Sequence, residues 1–160
     1  MKNLFSVEGK TAVVTGGSRG IGEMIAAGYL SNGAKVYISS RKADACNETA
    51  KRLMEQFGGE CISLPADMSS LEGINGFVKE LNEQEASLDI LVNNAGVAWG
   101  APLEEFPELG WDKVMNTNVK GVFFLTQKLL PLLEAGNSSE KPSYVINVGS
   151  IDGIKTPRFD

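Results

Sequence analysis

The segment Thr15-Gly16-Gly17-Ser18-Arg19-Gly20-Ile21-Gly22 constrains the fold more than any other stretch of the chain. Gly16, Gly20 and Gly22 stand between a β-branched run, residues 11–15, and an apolar-periodic run through Ile21, Ile25 and Leu30. Glycine lets a backbone turn through positive φ and come close to a ligand. A helix that begins there aims its unpaired N–H groups and positive dipole end at the same spot, which suits a pyrophosphate. The segment is not a Walker A loop, because Glu23 and Met24 stand where Lys and Ser/Thr are needed. Nor does it have the common G-x-G-x-x-G spacing. A strand-to-helix turn without ligand is the competing reading.

Strand and helix signals alternate along the rest of the chain. Residues 10–15 predict a first strand, and 21–32 a helix that Gly33 stops. A strand at 35–40, a helix at 44–57 ending on Gly58-Gly59, and a strand at 60–64 follow. Residues 65–67 lead to a helix at 69–83, and 88–92 read as a strand buried on both faces. A loop at 96–107, a long helix at 111–135 and a fifth strand at 143–148 complete the series. Right-handed strand–helix–strand units in this order predict an α/β fold: a doubly wound parallel sheet with helices on both faces, Rossmann-like, in a single domain over 1–160. Ligands of such sheets gather at the carboxyl ends of the strands, where the strand order reverses.

Composition excludes several function classes. A net charge of −5 without a basic patch argues against nucleic acid as partner. No run approaches membrane-spanning length. The chain has no histidine, which removes zinc–histidine sites and histidine triads, and no metal site is expected. Cys46 and Cys61 have no metal or redox spacing and read as structural thiols in a reducing, cytoplasmic compartment.

The long helix carries a stripe at Trp111, Val114, Met115, Val122, Leu125, Leu129 and Leu132. Val119, Phe123, Phe124, Leu130 and Leu133 fall outside it. A helix apolar on more than one face is buried on more than one face. One face fits the sheet; the other calls for a further helix or a second subunit, so a homo-oligomer is expected.

Together these residues resemble the short-chain dehydrogenase/reductase family. The motifs are T-G-x-x-x-G-x-G at Thr15 to Gly22, N-N-A-G at Asn93 to Gly96, Asn118-x-x-Gly121, and a fifth strand ending in Gly149-Ser150. Within the family the chain is similar to 3-oxoacyl-[acyl-carrier-protein] reductase-like members of the rhamnolipid-pathway subgroup. The resemblance implies an oxidoreductase moving a hydride between a nicotinamide cofactor and a small-molecule or acyl-carrier-linked carbonyl substrate, as a dimer or tetramer.

For the cofactor, the resemblance implies contacts from Gly16, Ser18, Arg19, Gly20, Ile21 and Gly22 of the glycine loop. It adds Arg41, Asp67 and Met68, and Asn94, Ala95 and Gly96. The residues themselves leave alternatives. N-N-A-G is a plain turn or a close approach to a ribose. Asp67 contacts adenine, as in the family, or caps the helix that follows. Asn118 is a satisfied buried asparagine bracing a bend, or by resemblance the catalytic residue that holds a water in a proton relay. Ser150 is a loop serine, or by resemblance the catalytic donor to the substrate carbonyl oxygen.

Charge selects the cofactor. NAD-selective folds place an acid about 20 residues past the glycine loop, yet here the second strand runs into Arg41 and Lys42, with Asp44 the first acid. Arg19 adds a further cation. Two guanidiniums near the adenosine ribose suit a 2′-phosphate, so NADP(H) is expected; a solvated helix start is the alternative.

The family's reaction also uses a tyrosine and a lysine four residues later, about a dozen residues past the serine. Tyr144 precedes Ser150, and Ile151 stands four before Lys155. The 160 residues are therefore expected to be the amino-terminal part of a longer reductase, an incomplete NADP(H)-binding domain without its carboxyl-terminal part, and inactive alone. A non-catalytic dinucleotide-binding sensor is the rival from another class.

Overall fold

The computed structural model describes residues 5–154; Lys155 lies outside the described residues. Five strands, β1 (Thr11–Thr15), β2 (Lys35–Ser39), β3 (Cys61–Ser63), β4 (Ile90–Asn93) and β5 (Tyr144–Asn147), form one parallel sheet in the order β3-β2-β1-β4-β5. The order reverses between β1 and β4, which opens a crevice at their carboxyl ends.

The helices are α1 (Gly20–Ser31), α2 (Ala43–Phe57), α3 (Leu71–Gln84), α4 (Glu108–Met115) and α5 (Val122–Ala135). Side chains alternate across each strand, so the sheet builds two cores. Val14, Val36, Ile38 and Val92 pack with Ala26 and Leu30 of α1 and Cys46 and Leu53 of α2. Val13, Tyr37 and Leu91 pack on the opposite face with Ile74, Phe77 and Leu81 of α3 and Leu125 and Leu129 of α5. From β3 to β4 the sheet is thus covered on both faces, as the strand–helix alternation predicts.

Two local signals read from sequence, the glycine stops, act as expected. Gly33 takes φ +81° just beyond α1, and its N–H donates to the Leu30 carbonyl. Gly58 and Gly59 take φ +72° and +74° and end α2. At α3 the cap is Ser70, whose hydroxyl accepts the Gly73 N–H.

The long helix differs from expectation. It starts at Glu108, behind Pro107, and is interrupted by a π-helical segment, Asn116–Gly121. Its contact stripe also differs: Trp111 and Met115 are exposed, whereas Leu133 is buried with Leu125, Leu129 and Leu132. A π segment adds a residue to one turn and rotates everything before it, so one 3.6-residue stripe does not run through both halves. Trp111, Val119 and Phe123 lie on the outer side, 59%, 53% and 60% exposed. β5 is also bare, with all four residues exposed.

Candidate functional site

The site begins where β1 ends. Gly16 and Gly20 adopt φ +67° and +57°, turning the chain out of the strand and into α1. Gly22 lies so close to the Gly16 carbonyl oxygen and the Asn94 amide that an added Cβ would strike both. The glycine loop is braced from outside by Thr49, whose hydroxyl donates to the Ser18 carbonyl at 3.0 Å. Arg19 occupies the N-cap of α1 in extended conformation without a side-chain cap, so the helix presents its first N–H groups uncapped by that side chain.

The second wall comes from the end of β4 and is stitched to the first. Thr15 Oγ1 accepts the N–H groups of Asn94 (3.0 Å) and Ala95 (2.9 Å) and donates to the Val92 carbonyl (3.3 Å). Asn94 Nδ2 returns a bond to the Thr15 carbonyl at 2.9 Å. Asn93 turns the other way, its amide donating to Thr126 Oγ1 and Asn147 Oδ1, which ties β4 to α5 and β5. The two asparagines of the motif therefore do separate jobs.

Between these walls lies a cleft of about 810 Å³. Gly16, Ser18, Arg19, Gly20, Ile21 and Gly22 line it, as do Arg41, Asp67, Met68, Asn94, Ala95 and Gly96. The structure thus brings every sequence-predicted cofactor candidate onto one surface. Arg19, Arg41 and Lys42 give the cleft three cations against one acid, Asp67. The Asp67 carboxylate accepts from both the backbone N–H and the hydroxyl of Ser69, at 2.9 and 2.7 Å. It bends the chain ahead of α3 but is not that helix's cap, a correction to the capping alternative.

Asn118 and Ser150 are not among the described residues that line this cleft. Asn118 is exposed, not buried, and sits in the π segment, where an extra residue swings its side chain toward the loop after β4. Its Oδ1 accepts the Val97 N–H and its Nδ2 donates to the Val97 carbonyl, both at 2.9 Å. Gly121 lets the π segment lie against the loop ahead of α3, since a Cβ there would collide with the Met68 carbonyl oxygen. Ser150, exposed beyond β5, accepts the Asp152 N–H at 3.1 Å and caps the short turn Ile151–Gly153.

Sequence reasoning missed Ser39, Ser40, Ala45, Ala66 and Thr117 as lining residues, treated Lys42 only as a nearby cation, and had Val97 only within the 96–107 loop as a pocket wall. Ser39 and Ser40 were legible as the carboxyl end of β2. Thr117 was not, because the π segment turns it inward. Ser39 is fully buried, and its hydroxyl has no hydrogen-bond partner among the described residues. Among the described residues no group of three or more His, Cys, Asp or Glu could hold a metal, and no helix is long and apolar enough to cross a membrane.

Known proteins share this arrangement. The sequence is 53% identical over 154 residues to a rhamnolipids biosynthesis 3-oxoacyl-[acyl-carrier-protein] reductase of Pseudomonas aeruginosa, covering 96% of this chain and 59% of that protein. It is 38% identical over 125 residues to a gluconate 5-dehydrogenase of Gluconobacter oxydans, covering 78% of this chain and 48% of that protein. The fold superposes on the Pseudomonas aeruginosa RhlG/NADP active-site complex with a TM-score of 0.93 at 52% identity, over 99% of this chain and 61% of that one. It matches L-sorbose reductase from Gluconobacter frateurii, complexed with NADPH and L-sorbose, with a TM-score of 0.88 at 29% identity, over 96% and 57%. The chain therefore spans roughly half to three-fifths of the length of these relatives. The short chain dehydrogenase sequence model matches residues 10–159, and the chain belongs to that family.

Proposed function

We propose that the protein carrying this chain is an NADP(H)-dependent carbonyl reductase, with a 3-oxoacyl-type substrate, small or carried on an acyl-carrier protein. Residues 1–160 form the amino-terminal part of its Rossmann-like nucleotide-binding domain. The observation that carries the reading is the meeting of an uncapped helix N-terminus with Arg19, Arg41 and Lys42 in one cleft. The donor set fits the cofactor: main-chain N–H groups at α1 for a pyrophosphate, and guanidiniums for a 2′-phosphate. The solved relatives with NADP and NADPH support the same choice.

When bound, NADP(H) supplies or accepts the hydride. Ser150 uses its hydroxyl as acceptor for Asp152, which leaves its own O–H to donate to a substrate carbonyl oxygen as negative charge develops there. Asn118 spends one N–H and one lone pair on Val97 and keeps one of each for a water in the proton relay. The buried free thiols of Cys46 and Cys61 support a cytoplasmic setting. The outer face at Trp111, Val119 and Phe123 supports a homo-oligomer.

The decisive measurement is kcat/KM for NADPH and NADH on wild type and Arg41→Asp. Loss of a charge-assisted contact should cut the NADPH preference on the order of 10–100-fold. An unchanged preference would refute the assignment.

A further inference from the structure

The loop after β4 leaves the cleft at Gly96 and Val97 and reaches Trp99 two residues later. The Trp99 indole rests on bare backbone of α4. A Cβ added to Gly110 would stand 2.7 Å from Trp99 Cδ1 and 2.8 Å from Cγ and Nε1. Such approach is closer than any side chain permits, so Gly110 is a socket for the ring, and the ring in turn leaves Gly110 buried. Lys113, one turn on, sets its ammonium 5.2 Å from the ring centroid. A cation over a π face adds direction to what packing alone would leave free to slide.

From this geometry we propose that Trp99 is a positioning residue for the carbonyl substrate, acting through the backbone of Val97. The stretch from Val97 to Trp99 is pinned at both ends, at one by Asn118 and at the other by Gly110 and Lys113. Two residues of chain span at most about 7 Å, too little slack to absorb a displaced indole. Lifting Trp99 off Gly110 therefore moves Val97, and Val97 both lines the cleft and holds the Asn118 amide. The adenosine half of the cleft, near Arg41 and Asp67, is built on other strands and is untouched by the movement.

This inference rests on the reductase reading, and its test separates the two. In a background where Trp111 and any tryptophan beyond residue 160 are replaced by Phe, Gly110→Ala should shift the indole emission of Trp99 to the red. With acetoacetyl-coenzyme A as probe substrate, Gly110→Ala should lower kcat/KM about ten- to a hundredfold. The Kd of adenosine 2′,5′-bisphosphate should stay unchanged. Trp99→Phe, a smaller ring, should restore kcat/KM when combined with Gly110→Ala, because it frees space for the new methyl. Unchanged emission and kinetics in Gly110→Ala overturn the proposal. So does a fall in kcat/KM with an equal loss of bisphosphate affinity, or one that Trp99→Phe fails to relieve. A wild-type protein that turns over no carbonyl with NADPH overturns the reductase reading instead, while the emission shift still reports the socket.

Discussion

The side-chain amide of Asn118 pairs with the backbone of Val97 in both directions, across 21 residues of chain. The residue thereby acts as a one-residue strand partner for the loop after β4, and only the π segment aims it there. Asn118→Ala removes both bonds at an exposed site. It should cost about 1–2 kcal/mol of stability in urea denaturation, since each net bond is worth about 0.5–1.5 kcal/mol. An unchanged midpoint would mean that water replaces the amide without loss.

Thr15 offers a sharper contrast. Thr15→Val keeps the shape but strips the acceptor from two N–H groups, those of Asn94 and Ala95. A destabilisation of about 2–4 kcal/mol is expected, from unsatisfied groups at about 1–3 kcal/mol each. Thr15→Ser retains the oxygen and should stay within about 1 kcal/mol of wild type. Equal losses in the two variants would assign the effect to packing and not to the stitched walls.

Two glycines of the same helix should respond with opposite sign. Gly28 of α1 has open space around its missing Cβ, and Gly28→Ala should stabilise by about 0.5–1 kcal/mol through helix propensity. Gly22→Ala drives a methyl into the Gly16 carbonyl and the Asn94 amide. It should lower the melting temperature and weaken NADPH binding together. Thermal melts with and without NADPH read both effects, because a ligand of the native state raises its midpoint.

Alkaline pH should weaken the fold from its interior. Burial pushes the Cys61 thiol up from 9.0 to about 12, with Cys46 nearby adding to the rise. Burial, then the Glu85 carboxylate that accepts its hydroxyl, push Tyr37 up from 10.0 to about 12. Lys35 is also raised, chiefly by its bond to Glu85. In each case the folded chain holds a proton that the unfolded chain has released, so stability is full below the unfolded value and falls as pH rises. The decline should start near pH 9.0 for Cys61 and gain Tyr37 above 10.0, continuing to about 12. A single group contributes at most about 1.4 kcal/mol per pH unit in its window. Urea midpoints at pH 8, 9 and 10 should fall for wild type, with a flatter fall in Cys61→Ala at about pH 9–10.

The parts that sequence revealed are those governed by local rules. The β-branched runs, the stops at Gly33 and Gly58-Gly59, and the residues at strand ends follow from period and backbone chemistry, and the cleft assembled from them. The π segment did not show, because its cause is tertiary: Gly121 against the Met68 carbonyl, 53 positions earlier in the chain, and Asn118 on Val97. The same insertion hid Thr117 as a lining residue and made Trp111 look like part of a buried stripe. Ser39 was legible as the end of β2, but an apolar strand context gives no sign that its hydroxyl lines the cleft without a partner among the described residues.

The stitched walls also have a place in time. Thr15 and Asn94 are 79 residues apart. At a synthesis rate of about 5–20 residues per second, about 4–16 s separate their addition to the growing chain. Within that interval β1 gains β2 to pair with, while its other neighbour, β4, does not yet exist. The crevice therefore cannot form until β4 has followed β1 out of the ribosome. A nucleotide can influence how the nascent chain folds only after the second wall has left the ribosome.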